Sequence, residues 1–299
     1  MKVIGCGTET YLYINGISTS NEILLHDNVV LIPVTKHFHY GKVSKLLKND
    51  VEFAVAALSG RTIASQMRIT ASDAKELACV AWNAAWDSIL LGAIFHCEVM
   101  GNVQCDKPIE QLSKATEVNI TNYHFRALFS EPYRLTPEDE KWIRSYYSVA
   151  YGLLKKVAFE TAVHAMASYK WHSMPRVQLA ILWSGIEALF EASTEISFRI
   201  SLYIANFLAG GDTVEANKLF KKTKKLYASR SASVHGGKVK GEVSDFVEES
   251  ATLLNRIIRK CAELGSLPDA ENLVFPVVAT GSTGLTTGVS SAQLIASRK

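Results

Sequence analysis

Residues 218–240, KLFKKTKKLYASRSASVHGGKVK, carry eight lysines or arginines and no aspartate or glutamate. The whole chain has a formal net charge of only +3, so the remainder balances slightly negative and the positive charge is concentrated in one stretch. A basic segment of this kind is the electrostatic footprint of a phosphate-bearing partner. The competing reading is a solvated helix face whose lysines lie toward the negative end of the helix dipole. The end of the stretch adds chemistry to charge. Arg230 offers a planar fork of donors that matches phosphate oxygens, and His235 follows five positions later. On a straight helix five positions turn about 140°, so the two side chains share a cleft only where the helix ends. Gly236 and Gly237 predict that end at or near His235. There the dipole favours a charged imidazole and the neighbouring cations oppose it, a balance suited to a proton donor or acceptor.

Other chemistry-bearing residues converge less. His37 and His39 in KHFHY alternate as on one strand face, two metal ligands without a third in view. The five cysteines, Cys6, Cys79, Cys97, Cys105 and Cys261, form no C-x-x-C pair, and His96 beside Cys97 makes no zinc-finger pattern. Free thiols suit a reducing compartment. Glu187, in the apolar LAILWSGIEALFE, either orients Arg230 or pairs with another arginine such as Arg199. Tyr227, one turn before Arg230, either packs, stacks on a base or bonds a phosphate, and Ser231 is expected to hydrogen-bond locally. His164 and His172 flank a helix end and are expected at the surface. Trp82, Trp86, Trp142 and Trp183 recur on helical faces and are expected in the core. Walker-type glycine loops, nucleophile elbows and His-Glu-x-x-His are absent from the sequence. No metal or cofactor is expected.

Elements have to position these residues, and the chain has room for them. With 299 residues, 48% hydrophobic and 20% charged, it reads as a soluble globular protein with space for two domains. The N-terminal stretch lacks the unbroken apolar core of a signal peptide. ACVAWNAAWDSILLGAIFHC is interrupted by Asn83, Asp87 and His96 and reads as a buried helix, not a membrane span. A cytoplasmic location is the expectation. Residues 1–130 read as a mixed α/β module. Asn15-Gly16 signals a hairpin, EILLHDNVVLIPV two strands about an Asp27-Asn28 turn, VEFAVAAL a further buried strand, and EVNITNYHF one more. A long helix is expected from near Asp73, with Glu76 as capping-box partner, to about Cys97.

SEPYRLTPEDEKW marks the boundary, with Thr136, Pro137 and Asp139 as a helix start. Residues 136–265 read as all helix, from about Pro137 to Tyr169, from Pro175, through ISFRISLYIANFLAG to Gly210-Gly211, from Thr213 to His235, and from Val243 to Leu264. Short connections predict an antiparallel bundle. Residues 267–299 form a Gly/Ser/Thr-rich tail, expected to be flexible in isolation or to dock as an arm on a partner subunit. The fold class is therefore α+β, a mixed α/β N-terminal module followed by an all-α helical bundle.

Two of the helical motifs together resemble the ApeA-like branch of the HEPN family (higher eukaryotes and prokaryotes nucleotide-binding). Tyr227, Arg230, Ser231, His235 and Gly236 match its Tyr-x-x-Arg-Ser-x-x-x-His-Gly pattern, an R-x4-6-H motif, and Glu187, Leu189 and Phe190 match its earlier Glu-x-Leu-Phe. The resemblance covers about residues 136–265. It implies a metal-independent endoribonuclease or an RNA-binding module, dimeric or of higher order, with Arg and His of two copies facing one cleft. RNA would then be cut by its own 2′-hydroxyl, with His235 handling the proton, Arg230 holding the phosphate, and Lys221, Lys222, Lys224 and Lys225 guiding the backbone. Glu187, Tyr227 and Ser231 would support them. Ser231 stands where many active members have Asn, Asp or His, which leaves a catalytically inactive RNA-binding HEPN module open beside the enzyme. A scaffold whose bundle only dimerises is the third reading. The resemblance implies a place in anti-phage defence or toxin-like growth arrest, with a trigger or antitoxin as partner; the N-terminal module would sense the trigger or select a substrate, and no membrane is expected.

Overall fold

The computed structural model describes residues 7–43, 47–114, 116–124, 131–191, 195–234, 236–237 and 241–274. An N-terminal α/β half is followed by an all-α bundle, as the sequence pattern predicts. The first strand, β1 (Glu9–Asn15), shows why the sheet is covered on both sides. Tyr11 and Tyr13 enter one apolar cluster, and Leu12 and Ile14 enter another. Alternation of side chains along a strand sends the two pairs to opposite faces. The sheet has the order β3 (Ile23–His26), β4 (Val29–Pro33), β5 (Ile63–Thr70), β1, β6 (Met100–Cys105), β7 (Val118–Ile120), and its neighbours are antiparallel. The β3–β4 pair turns at Asp27-Asn28, as expected.

Three N-terminal expectations are corrected. VEFAVAAL is not a strand but most of α1 (Asp50–Ser59). Asn49 caps it by accepting from Glu52 N–H at 2.9 Å, and Asp50 and Glu52 place negative charge at its positive end. Val55 and Ala56 pack on the Tyr11–Tyr13 face. The next strand along the chain is β5, a segment the sequence pattern does not mark as a strand. Second, Asn15-Gly16 does not make a hairpin. Gly16 adopts φ +88°, and the chain passes into the two-residue β2 (Ile17–Ser18), which pairs in parallel with β8 (Tyr133–Arg134). The buried Asn15 amide donates to Ser59 O at 2.7 Å and Thr62 Oγ1 at 2.9 Å, tying the end of β1 to the α1–β5 connection. Third, Glu76 does not close a capping box on Asp73. Its carboxylate accepts from Ser72 N–H and Oγ, while Asp73 accepts from the amides of Lys75 and Glu76.

The helix so started, α2 (Ala74–Phe95), ends where His96 takes the left-handed conformation. By length and composition it is the one helix among the described residues apolar enough to cross a membrane, yet half of its most apolar window is buried within the fold. It covers the Leu12–Ile14 face of the sheet and packs with its other side on the bundle.

In the bundle, α3 (Pro137–Leu153) starts with the reciprocal Thr136–Asp139 capping box. The single helix expected over 137–169 is two helices. The chain stops at Leu153, extends at Lys156, and resumes as α4 (Val157–Ser168), followed by a 3-10 turn at Tyr169–Trp171. The break lets α4 pack on both α2 and α5. The other helices fall where proline, glycine and cap signals put them: α5 (Pro175–Phe190), α6 (Ile196–Ala209), α7 (Thr213–Val234) and α8 (Val243–Leu264). The start of the C-terminal tail packs on the chain's own bundle. Within it α9 (Ala270–Val274) follows Leu267, and Leu267, Ala270 and Leu273 pack on the core while Asn206 donates to Leu273 O at 2.7 Å. The flexibility expected of 275–299 lies outside the described residues.

Candidate functional site

From Lys218 to Val234 the basic segment forms most of α7, and residues 238–240 lie outside the described residues. Asp212 caps the helix by accepting from Val214 and Glu215 amides. Leu219 and Leu226 bury one face against the neighbouring helices, and the lysines stay exposed. At the far end Gly236 takes φ +74° and Gly237 N–H donates to Ala232 O at 2.7 Å, a Schellman-type closure. The expected stop after the basic run is therefore present, with Val234 the last helical residue. His235 itself, the expected proton carrier, lies outside the described residues.

Across from this end, α5 presents Glu187. Arg230 Nη2 donates to Glu187 Oε2 at 3.2 Å, which selects Arg230 over Arg199 as the partner. The guanidinium carbon also lies 5.6 Å from the centre of the Tyr227 ring. Tyr227 meets the fully buried Trp183 edge-on at 5.1 Å, and Trp183 donates to Ser250 Oγ. Burial and the Glu187 carboxylate raise the Tyr227 hydroxyl above its ordinary value, against the pull of Arg230, so it remains a donor at neutral pH. Ser231 is half-buried beside the pair. Arg230 and Glu187 side chains are 21% and 30% exposed, so water screens the pair and its contribution to stability is about 1 kcal/mol or less. The contact is single-armed. Arg230 Nε is buried and without a partner among the described residues, while the Tyr227 hydroxyl also interacts with the Glu187 carboxylate.

One cation escaped the sequence reading. Arg176, in the first turn of α5, donates from Nη1 to Ser233 O at 3.1 Å, at the carbonyl end of α7. Its signal was present as spacing: eleven residues separate it from Glu187, three turns of one helix face. Arg176, Glu187, Tyr227 and Arg230 thus line the α5–α7 seam.

The lysines are not brought to that seam. At 100° per residue, Lys221, Lys224 and Lys225 project about 120–180° around α7 from Arg230, and Lys222 about 80°. Lys222 pairs with Glu249 of α8 at 3.1 Å, and Lys225 lies over Phe246 at 5.4 Å. The expected basic segment therefore divides into an exposed lysine ridge and an arginine seam.

The remaining candidates disperse. His37 and His39 are exposed around a cavity ringed by Lys36 and Lys42, and no group of three metal-ligating side chains occurs among the described residues. His172 is exposed, while His164 meets Trp86 edge-on. Trp142 and Trp183 are buried as expected, whereas Trp82 is an exception at 60% exposure. Comparison with protein-family models, curated proteins and solved structures finds no match to this chain.

Proposed function

We propose that the protein is a metal-independent endoribonuclease of the HEPN type, with the α5–α7 seam as its phosphate site and a second copy completing it. The observation that carries this reading is the single-armed Arg230–Glu187 contact. A guanidinium aimed by one carboxylate oxygen, with Nε unpartnered among the described residues, stands one turn before the glycine-closed end of α7, and His235 is the next residue in sequence after that end. Buried polar groups are ordinarily satisfied, so a buried guanidinium nitrogen without a partner among the described residues leaves a donor open to a further ligand.

The chemistry needs little more. The 2′-oxygen of a ribose attacks the adjacent phosphorus while a base takes its proton. The bond from phosphorus to the 5′-oxygen breaks, and an acid protonates that oxygen. The products are a 2′,3′-cyclic phosphate and a 5′-hydroxyl. His235 from each of two copies would supply base and acid, and Arg230 would hold the charge that develops on the phosphate. The lysine ridge faces away from the seam, so it would hold flanking RNA rather than the scissile phosphate.

The test uses the full chain, mixed-sequence labelled RNA and excess chelator. Cleavage leaving cyclic phosphate ends is expected, abolished in Arg230→Ala and His235→Ala, with RNA retained in a low-salt binding assay. Intact RNA after incubation with the unaltered protein, at concentrations where sizing shows an oligomer, would overturn the nuclease reading. Retained binding in that case would leave an RNA-holding module.

A further inference from the structure

Between α2 and the β6–β7 end of the sheet the fold leaves a cleft of two adjoining lobes, which share Ala85, Gly101 and Asn122. The first lobe, about 200 Å³, lies between Trp82 and Trp86 of α2 and Leu12 and Ile69 of the sheet. The second, about 180 Å³, continues toward Ser88, Glu98 and Trp171. The cleft has a local cause. Where α2 crosses this part of the sheet the helix side chains between the two tryptophans and the strands are Ala81 and Ala85, both lining the cleft and too small to fill it. Opposite them is Gly101, where a Cβ would lie 2.7 Å from the Leu12 side chain.

The two lobes offer different chemistry. Trp82 and Trp86 are one turn apart, so their indoles share a side of α2. Trp82 is 60% exposed, and Trp86 is steadied edge-on by His164 at 4.7 Å. The amides beneath them are mutually engaged: Asn122 accepts from Asn102 and donates to Gly101 O, and Gln104 bonds Thr10 and Asn119. This lobe therefore suits a flat, uncharged ring. In the second lobe, Ser88 Oγ is buried, on a residue 5% exposed, and lacks a partner among the described residues. The half-buried Glu98 lines the same lobe. Burial holds the Cys97 thiol up at about 12, so it is unreactive there. No lysine or arginine is among the described residues lining either lobe. The site thus asks for a planar aromatic ring joined to neutral hydroxyl donors, and apart from His124 its lining offers a phosphate no side chain that can carry positive charge.

We propose that this cleft binds a nucleoside, with the base against Trp82 and Trp86 and the sugar hydroxyls directed to Glu98 and Ser88. None of the α5–α7 seam residues lines it, so the proposal stands apart from the ribonuclease reading.

The experiment is calorimetric titration of the full-length protein with adenosine, guanosine, cytidine and uridine, each beside its 5′-monophosphate and beside ribose. At least one nucleoside is expected to bind saturably, with its monophosphate weaker and ribose not binding. Trp82→Ala, a change at an exposed position, is expected to lower that affinity about tenfold, the usual consequence of losing one stacking face. Ser88→Ala is expected to lower it less, with the unfolding temperature of both variants checked against the parent. Absence of binding by all four nucleosides up to millimolar concentration would overturn the proposal. So would a monophosphate that binds as tightly as its nucleoside, or a folded Trp82→Ala protein with unchanged affinity.

Discussion

A guanidinium fixed through one nitrogen keeps its remaining donors for something else, and Arg230 is in that position. Glu187 aims it and Tyr227 offers it a ring face, but the pair is too exposed to act as a strong clamp. Orientation, not stability, is then what Glu187 contributes. Glu187→Gln keeps an acceptor oxygen and removes the charge, so urea unfolding is expected to shift by about 1 kcal/mol or less. On the ribonuclease proposal, cleavage is expected to fall through kcat, by about tenfold, with KM nearly unchanged, because the misdirected arginine would matter most as charge develops. A loss of several kcal/mol with unaltered kcat would make the pair a structural tie instead. At this scale the sequence was informative where a motif had a partner. Glu187, Tyr227 and Arg230 could be named because each stands in a recognisable helix segment. Arg176 could not, because its role depends on how α5 crosses the end of α7, and nothing in the order of residues states that crossing. The lysines were grouped with Arg230 because they are neighbours in sequence, whereas 100° per residue sends them to another side.

At the scale of elements, α2 carries the most diagnostic residue. Asp87 interrupts its apolar run and is fully buried. It accepts from Tyr147 Oη of α3 at 2.9 Å and lies 3.1 Å from His26 Nε2 at the end of β3, while His26 stacks on Tyr151. One carboxylate thereby ties a strand and two helices. Burial raises its proton affinity, with His26 and Tyr147 pulling the other way, and the net direction is upward. A carboxyl whose folded value exceeds its unfolded one holds more protons when folded, so its contribution to stability falls as pH rises. The stability of the parent minus that of Asp87→Asn, from urea unfolding at several pH values, should decrease from about pH 4 upward, beginning at the ordinary aspartate range and continuing through the raised value. A difference that is flat or grows with pH would contradict the assignment. The same element level explains what the sequence disclosed of the fold. Thr136, Pro175, Gly210 and Gly265 are local stop and start signals, and the helices they bound fall where expected. VEFAVAAL is apolar at both periods, and only the Asn49 cap, easily passed over, distinguishes helix from strand. Asn15-Gly16 is a valid hairpin dipeptide overruled by partners more than forty residues away.

For the molecule as a whole, the question is whether the helical half stands alone. Its apolar core does not stop at the boundary near residue 131. One cluster runs from Leu12 and Met67 on the sheet, through Leu90, Leu91 and Ile94 of α2, to Phe159, Trp183 and Leu254 in the bundle. Polar contacts cross with it. Asn255 of α8 donates to Ala93 O and Ile94 O, satisfying carbonyls that the end of α2 leaves open, and His96 Nε2 lies 2.8 Å from Tyr169 Oη. Removing residues 1–130 would uncover the sides of α4 and α8 that α2 occupies. Burying a large aliphatic side chain is worth about 1.5–3 kcal/mol, so losing two such contacts costs about 3–6 kcal/mol. That is a large share of the 5–15 kcal/mol, roughly, that holds a typical domain together. A fragment of residues 131–274 is therefore expected to keep helical far-ultraviolet dichroism but to unfold without a sharp transition. A fragment of residues 72–274, which restores α2, should regain part of the cooperativity, and the full chain should melt in one step. A sharp transition in the shorter fragment would show that the bundle is an independent folding unit and that α2 belongs energetically to the sheet alone.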